Sequence, residues 1–187
     1  MIVIIDFGSQ YNQLIARRVR ENHVFCQIEP PGISLDTLKA LQPEGIILSG
    51  GPSSIYEAGS PKVDPGIFTL GVPVLGICYG MQFMTAALGG SVARAGKREY
   101  GFAELCISAP SGLFKGIGRN TTCWMSHGDS NRKLPKGFHA TASTPNTRFA
   151  AAVDPRRKLL GVQFHPEVAH TPRGGAMLKN FLFDICG

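Results

Sequence analysis

The sequence predicts an α/β fold, a mostly parallel sheet covered on both faces by helices, and three features point to it. Short apolar runs rich in β-branched residues (Ile2 to Ile5, Val24 to Ile28, Gly45 to Leu48 and Val72 to Ile77) recur through the first half. Stretches of helical periodicity separate them: Tyr11 to Glu21 sets Leu14, Ile15 and Val19 against charges on the other side, and Gln82 to Leu88 follows the fourth run directly. The runs are apolar throughout rather than alternating, as strands buried on both faces are.

Each element follows from this pattern. After Gly90 the texture shortens, and Ala103 to Ile107, Thr121 to Met125, Phe138 to Ser143 and Phe149 to Val153 suggest an antiparallel portion. Leu159 to Phe164 reads as another buried strand. Gly175 to Ile185 reads as a closing helix, whose Met177, Leu178, Phe181, Leu182 and Ile185 recur at helical spacing and belong to the core. No internal repeat, low-complexity stretch or linker interrupts residues 1–187, so one domain is expected.

Composition narrows the function classes. With 43% apolar and 17% charged residues the chain can bury enough surface to offset the entropy of ordering its backbone, which excludes a disordered segment. The net charge of +6 comes from scattered groups (Arg17, Arg18 and Arg20; Lys97 and Arg98; Arg156 to Lys158), not from a basic stripe with interleaved aromatics, so no nucleic-acid partner is expected. Five widely spaced cysteines without a C-x-x-C pair suggest neither a disulfide framework nor a zinc site and fit a reducing cytoplasm. The opening M-I-V-I-I-D-F-G is too short an apolar run to span a membrane and lacks the basic start of a signal peptide.

The chemistry concentrates at two strand ends. Val72 to Ile77 runs into G-I-C-Y-G and then a helix, which sets Cys78 on a sharp strand-to-helix turn, the cysteine form of a nucleophile elbow. A helix N-terminus there favours a thiolate over a thiol. Taken alone, the motif fits a buried structural cysteine equally well. At the end of the last strand stands Q-F-H-P-E, and in extended backbone His165 and Glu167 project to one side. An imidazole so oriented can take the proton of an attacking thiol and return one to departing ammonia. His23, His127, His139 and His170 lack such a partner in sequence. Both motifs lie where open α/β sheets form their sites.

Two loops complete the constellation. Ser49-Gly50-Gly51-Pro52 follows the third strand, where the backbone N–H of Gly51 can face an oxyanion, with the N–H of Tyr79 as the second donor. S-G-G-P-S-S also loosely resembles a phosphate-binding S-G-G-x-D-S loop. Ser53 occupies its acidic position and Pro52 removes an N–H that a phosphate nest would use, so that likeness is set aside. Trp124-Met125-Ser126-His127-Gly128-Asp129 is expected at a strand end, and composition alone reads it as a turn.

S-G-G-P, G-I-C-Y-G-M-Q from Gly76 and G-V-Q-F-H-P-E from Gly161 together resemble the class I (triad) glutamine amidotransferases. D-F-G-S-Q-Y-N-Q-L-I-A-R-R-V-R-E from Asp6, R-E-Y-G-F-A-E-L from Arg98 and M-S-H-G-D from Met125 resemble the GMP synthase branch, nearly end to end. The resemblance implies a flavodoxin-like three-layer sandwich around a central, mostly parallel mixed sheet. It implies Cys78, His165 and Glu167 as catalytic triad, Gly51 and Tyr79 as oxyanion donors, and Gln82, Ser126, His127 and Asp129 as lining the glutamine pocket. No metal or cofactor is expected in this chain. ATP and magnesium would belong to an ATP pyrophosphatase partner that converts xanthosine monophosphate to GMP and whose S-G-G-x-D-S loop is missing here. The ending N-F-L-F-D-I-C-G reads as the run-up to that domain, so an excised part of a longer enzyme is expected, a separate subunit being the alternative. Ala95 to Tyr100 is the expected docking face. Ser130-Asn131 departs from the family, whose members commonly carry a longer apolar side chain there. Other readings are the glutaminase of another synthetase, a γ-glutamyl hydrolase, or an idle regulatory module; the intact triad speaks against the last.

Overall fold

The computed structural model describes the backbone of residues 1–187 and every side chain except that of Lys97. The first half alternates β1 (Ile2–Ile5), α1 (Asn12–Glu21), β2 (Cys26–Glu29), α2 (Leu35–Ala40), β3 (Gly45–Leu48), β4 (Val74–Ile77) and α3 (Tyr79–Ala87). The second half contributes β5 (Ser91–Ile107), β6 (Asn120–Lys133), β7 (His139–Ser143), β8 (Ala151–Asp154), β9 (Leu159–Val162) and α4 (Gly174–Lys179), which runs on as a π-helical turn over Asn180–Ile185. The described strands form one nine-stranded sheet in the order β2-β1-β3-β4-β9-β8-β7-β5-β6. Its first five members are parallel and the rest antiparallel. With β9 as fifth parallel strand this is the flavodoxin-like order, whose reversal of direction lies between β1 and β3.

Alternation along the short strands creates the three layers. Ile2 and Ile4 of β1 turn to the face where Ile15, Ala16 and Val19 of α1 meet Met177, Leu178 and Phe181. Val3 and Ile5 turn to the opposite face, against Leu38 of α2 and Phe83 and Met84 of α3. Each such side chain contributes roughly 1.5–3 kcal/mol on burial. Arg17 and Arg18 stay on the outer side of α1, paired with Glu21 at 3.0 and 2.9 Å. The small helix α2 has no counterpart in the sequence reading; Ser34 caps it by accepting from the Thr37 N–H at 3.1 Å.

Two expectations need correction. α3 begins immediately after Cys78 rather than at Gln82, so Cys78 is the residue that caps the helix. Met125 to Asp129 is neither a strand end nor a turn: it lies within β6, paired with β5. Gly-Asp is tolerated in the strand because its partner bulges. Arg94 pairs with Asp129 and Glu99 with His127, so the four residues 95–98 stand opposite Gly128 alone.

Candidate active site

The elbow is built from backbone first. Cys78 takes φ 49° and ψ −105°, a conformation that costs a non-glycine residue of order 1–3 kcal/mol and persists only where its surroundings impose it. They do so on both sides. The Cys78 N–H donates to the Val162 carbonyl of β9 at 2.8 Å, and the Gly80 N–H to the Ser49 carbonyl at 3.1 Å. A Cβ at Gly80 would collide with the Leu48 carbonyl, so only glycine lets α3 approach β3 this closely. Ser49 is itself locked: its hydroxyl accepts from the Phe7 N–H at 2.9 Å and donates to the Gly50 carbonyl at 2.8 Å.

His165 and Glu167 follow β9 on a loop tied to β6 and α1. The His165 N–H donates to the Trp124 carbonyl of β6 at 3.0 Å, and the His165 carbonyl accepts from the Thr171 hydroxyl at 2.6 Å. That hydroxyl accepts in turn from the Trp124 N–H at 3.0 Å. Arg18 of α1 donates through Nε to the Glu167 carbonyl at 3.0 Å. The loop is held, and the side chains line up: His165 Nδ1 meets Glu167 Oε1 at 2.7 Å, which leaves Nε2 for Cys78, whose own thiol donates to the Ser126 carbonyl at 3.7 Å. Tyr11 meets the imidazole edge-on, with ring centroids 5.4 Å apart. Burial pulls His165 towards its neutral form, but hydrogen bonds to Cys78 and Glu167 and the Glu167 charge outweigh it and hold the imidazole well above its ordinary range.

An open cleft of about 800 Å³ leads to the sulfur. Gly51, Gln82, Ser126, His127 and Asp129 line it together with Cys78 and His165, so the sequence-predicted pocket residues converge on one space. Tyr79 differs: its side chain is buried beside Phe7 and its hydroxyl donates to the Pro61 carbonyl at 2.6 Å. What it presents is a backbone N–H in the first turn of α3, where helices leave their N–H groups without internal partners.

The pocket wall is mostly committed to internal bonds. Gln82 Nε2 donates to the Asp129 carbonyl at 2.9 Å and to Gln163 Oε1 at 3.2 Å. Asp129 Oδ2 accepts from the Ser54 hydroxyl at 2.6 Å. His127 Nδ1 lies 2.8 Å from the Asp129 carbonyl, while Nε2 faces Glu99 at 3.6 Å. Burial pushes His127 below the usual imidazole range despite Glu99, so this contact is between a neutral ring and a carboxylate. Glu99 is satisfied instead by the hydroxyls of Thr144 and Thr147. Sequence reasoning missed Arg18, Thr171 and Gln163. The face argument that paired His165 with Glu167 extends two residues back to Gln163; nothing local marks the other two.

The arrangement supplies a sulfur nucleophile, a proton carrier and an orienting carboxylate in line. The model of the family described as glutamine amidotransferase class-I matches residues 3–185. The chain is 56% identical over 186 residues to a GMP synthase [glutamine-hydrolyzing] of Heliobacterium modesticaldum, covering 100% of this chain and 36% of that protein. It is 53% identical to the protein of that name from Ruminiclostridium cellulolyticum, covering 100% and 37%. The chain therefore spans little more than a third of these relatives. Among solved structures, a Thermoplasma acidophilum protein provisionally assigned as one of the subunits of a GMP synthase matches with a TM-score of 0.89 and 31% identity, over 99% of this chain and 92% of that one. A Thermotoga maritima glutamine amidotransferase shares the fold, with a TM-score of 0.75 at 19% identity over 99% and 97%.

Proposed function

We propose that this chain, which belongs to the class-I glutamine amidotransferase family, hydrolyses the side-chain amide of L-glutamine and supplies the ammonia to an ATP pyrophosphatase partner that aminates XMP to GMP. The observation that carries the chemistry is the line from the Cys78 sulfur through the His165 ring to Glu167, at the foot of an open cleft. The Cys78 sulfur attacks the amide carbon while the proton is held on His165 Nε2. The tetrahedral oxyanion is received by the N–H groups of Gly51 and Tyr79, each worth roughly 3–4 kcal/mol in such sites. On collapse the C–N bond breaks and His165 returns the proton to departing ammonia. Water then cleaves the thioester, releasing glutamate. Glu167 holds the imidazole in the tautomer and orientation that both transfers need.

Gln82, Ser126, His127 and Asp129 hold the substrate at the cleft wall. Residues 1–187 act as one domain, and the partner corresponds to the remaining length of the GMP synthases to which the chain is 51–56% identical. ATP and magnesium serve that partner, and the steps above use protein groups and water. No described helix is long and apolar enough to cross a membrane. We place the reaction in the cytoplasm, where unpaired cysteines such as the five here persist. Replacing Cys78 by Ala is the direct test: glutamate release from glutamine is lost while the melting temperature stays near that of the unaltered chain. Turnover at the original rate would refute the reading.

A further inference from the structure

We propose that Gln163 is a further catalytic residue, whose side-chain N–H donates to the Cys78 sulfur and holds its negative charge before attack and again when the thioester is cleaved. This rests on the reading of Cys78 as the nucleophile. Gln163 is 0% exposed, and both ends of its side chain are engaged. Nε2 lies 3.6 Å from Cys78 Sγ. Oε1 accepts from Gln82 Nε2 at 3.2 Å and from Asn131 Nδ2 at 3.3 Å.

The direction of this relay is fixed at its far end. A carboxamide's oxygen and nitrogen have nearly the same shape, so its orientation must come from a partner that cannot reverse roles. The backbone carbonyl of Asp129 is such a partner, since it only accepts. Gln82, at 2.9 Å from it, must therefore present nitrogen. The second hydrogen of that nitrogen points at Gln163, which must answer with oxygen. The nitrogen of Gln163 is left facing the sulfur.

Asn131 reinforces the arrangement at a cost to itself. With its nitrogen turned to Gln163, its buried Oδ1 has no partner among the described residues. An asparagine serving packing alone would be expected to satisfy both ends. The sulfur is thus enclosed by the His165 ring, the Ser126 carbonyl at 3.7 Å and the Gln163 N–H.

The charge balance explains what the third group does. After the thiol proton passes to His165, the electron pair is on sulfur, opposite the Gln163 N–H. Attack forms the C–S bond and moves the charge to the amide oxygen. Collapse breaks the C–N bond, and ammonia leaves with the proton from His165. Water attack then breaks the C–S bond and returns the pair to sulfur, which meets the same donor.

The test uses the Gln163→Glu variant, which is close to isosteric. One carboxylate oxygen can keep both anchoring bonds from Gln82 and Asn131, while the other sets an acceptor against the sulfur. Alkylation of Cys78 by iodoacetamide at neutral pH, followed by peptide mapping, reads the sulfur whether or not the chain turns glutamine over. Gln163→Glu is expected to slow alkylation about tenfold to a hundredfold, the range for a hydrogen bond to a charged group. Gln163→Met, which removes the donor together with the acceptor that anchors Gln82 and Asn131, is expected to slow it too, with kcat reduced. Folded Gln163→Glu protein alkylated within about twofold of the unaltered rate would overturn the proposal. So would a fall in turnover with alkylation unchanged, which would put Gln163 on the substrate or the scaffold instead. Neither result touches the Cys78→Ala test, so the two readings fail separately.

Discussion

Glu167 keeps a carboxylate where solvent does not reach: it is 0% exposed, with Oε1 on His165 and Oε2 without a partner among the described residues. A buried anion so placed needs a nearby cation, and the imidazolium of His165 is the one available. The Cys78 side chain and the Glu167 carboxylate together hold the ring above its ordinary range although burial alone would neutralise it. A raised value leaves the proton in place through neutral pH, and it is lost only as pH rises through that value. The alkaline limb of the rate therefore reports His165. Replacing Glu167 by Gln removes the anion and lowers the imidazole value, so the limb in a kcat/KM profile moves to lower pH; a limb that does not move contradicts the pairing. The His165 and Glu167 pair was legible in sequence because two residues on extended backbone share a face. The same rule reaches Gln163. Arg18, 149 positions from Glu167, could not be read because only the packing of α1 brings it there.

At the scale of elements, the site depends on loops held rigid by neighbours that touch no substrate. α4 begins at Gly174 against the carbonyl of Pro166, the residue between His165 and Glu167, and a Cβ there would overlap that oxygen. Gly174→Ala must push the loop away. We expect it to cost about 1–3 kcal/mol of stability in chemical denaturation, as overpacking does. It should also lower kcat about a hundredfold, the loss expected when a catalytic group shifts by an ångström. Unchanged turnover would show that the loop is free to relax. The parallel strands were legible because four-residue runs such as Ile2–Ile5 are apolar without alternation. Of the β5 and β6 hairpin, Ala103 to Ile107 and Thr121 to Met125 were legible as strands, but the stretch with Arg94, Arg98, His127 and Asp129 was not: charge and Gly128 imitate a turn there, and only pairing across a bulge makes it a strand.

Across the whole molecule, the parallel half sets Cys78 and His165 beyond the carboxyl ends of β4 and β9, and the antiparallel half brings β6 to the cleft as its wall. The layered, mostly parallel α/β class followed from sequence because helices alternating with buried strands admit few arrangements. The width of the cleft did not follow, since its rim brings Gly8 to Tyr11 together with Glu57, Arg94, Arg98 and Tyr100 from distant parts of the chain. Residues 95–98, part of the segment Ala95 to Tyr100 expected as the docking face, bulge at this rim. A cleft open to solvent suits a domain completed by a partner, and adding an ATP pyrophosphatase domain of a GMP synthase should stimulate glutamine hydrolysis about tenfold or more. Absence of stimulation would count against that partner and leave the triad untouched. The triad itself is tested most directly by treating the chain with a diazoketone analogue of glutamine and mapping the adduct. The expected result is a single modification on Cys78, prevented by excess glutamine. Modification of Cys26, Cys106, Cys123 or Cys186 in its place, or none at all, would contradict the assignment.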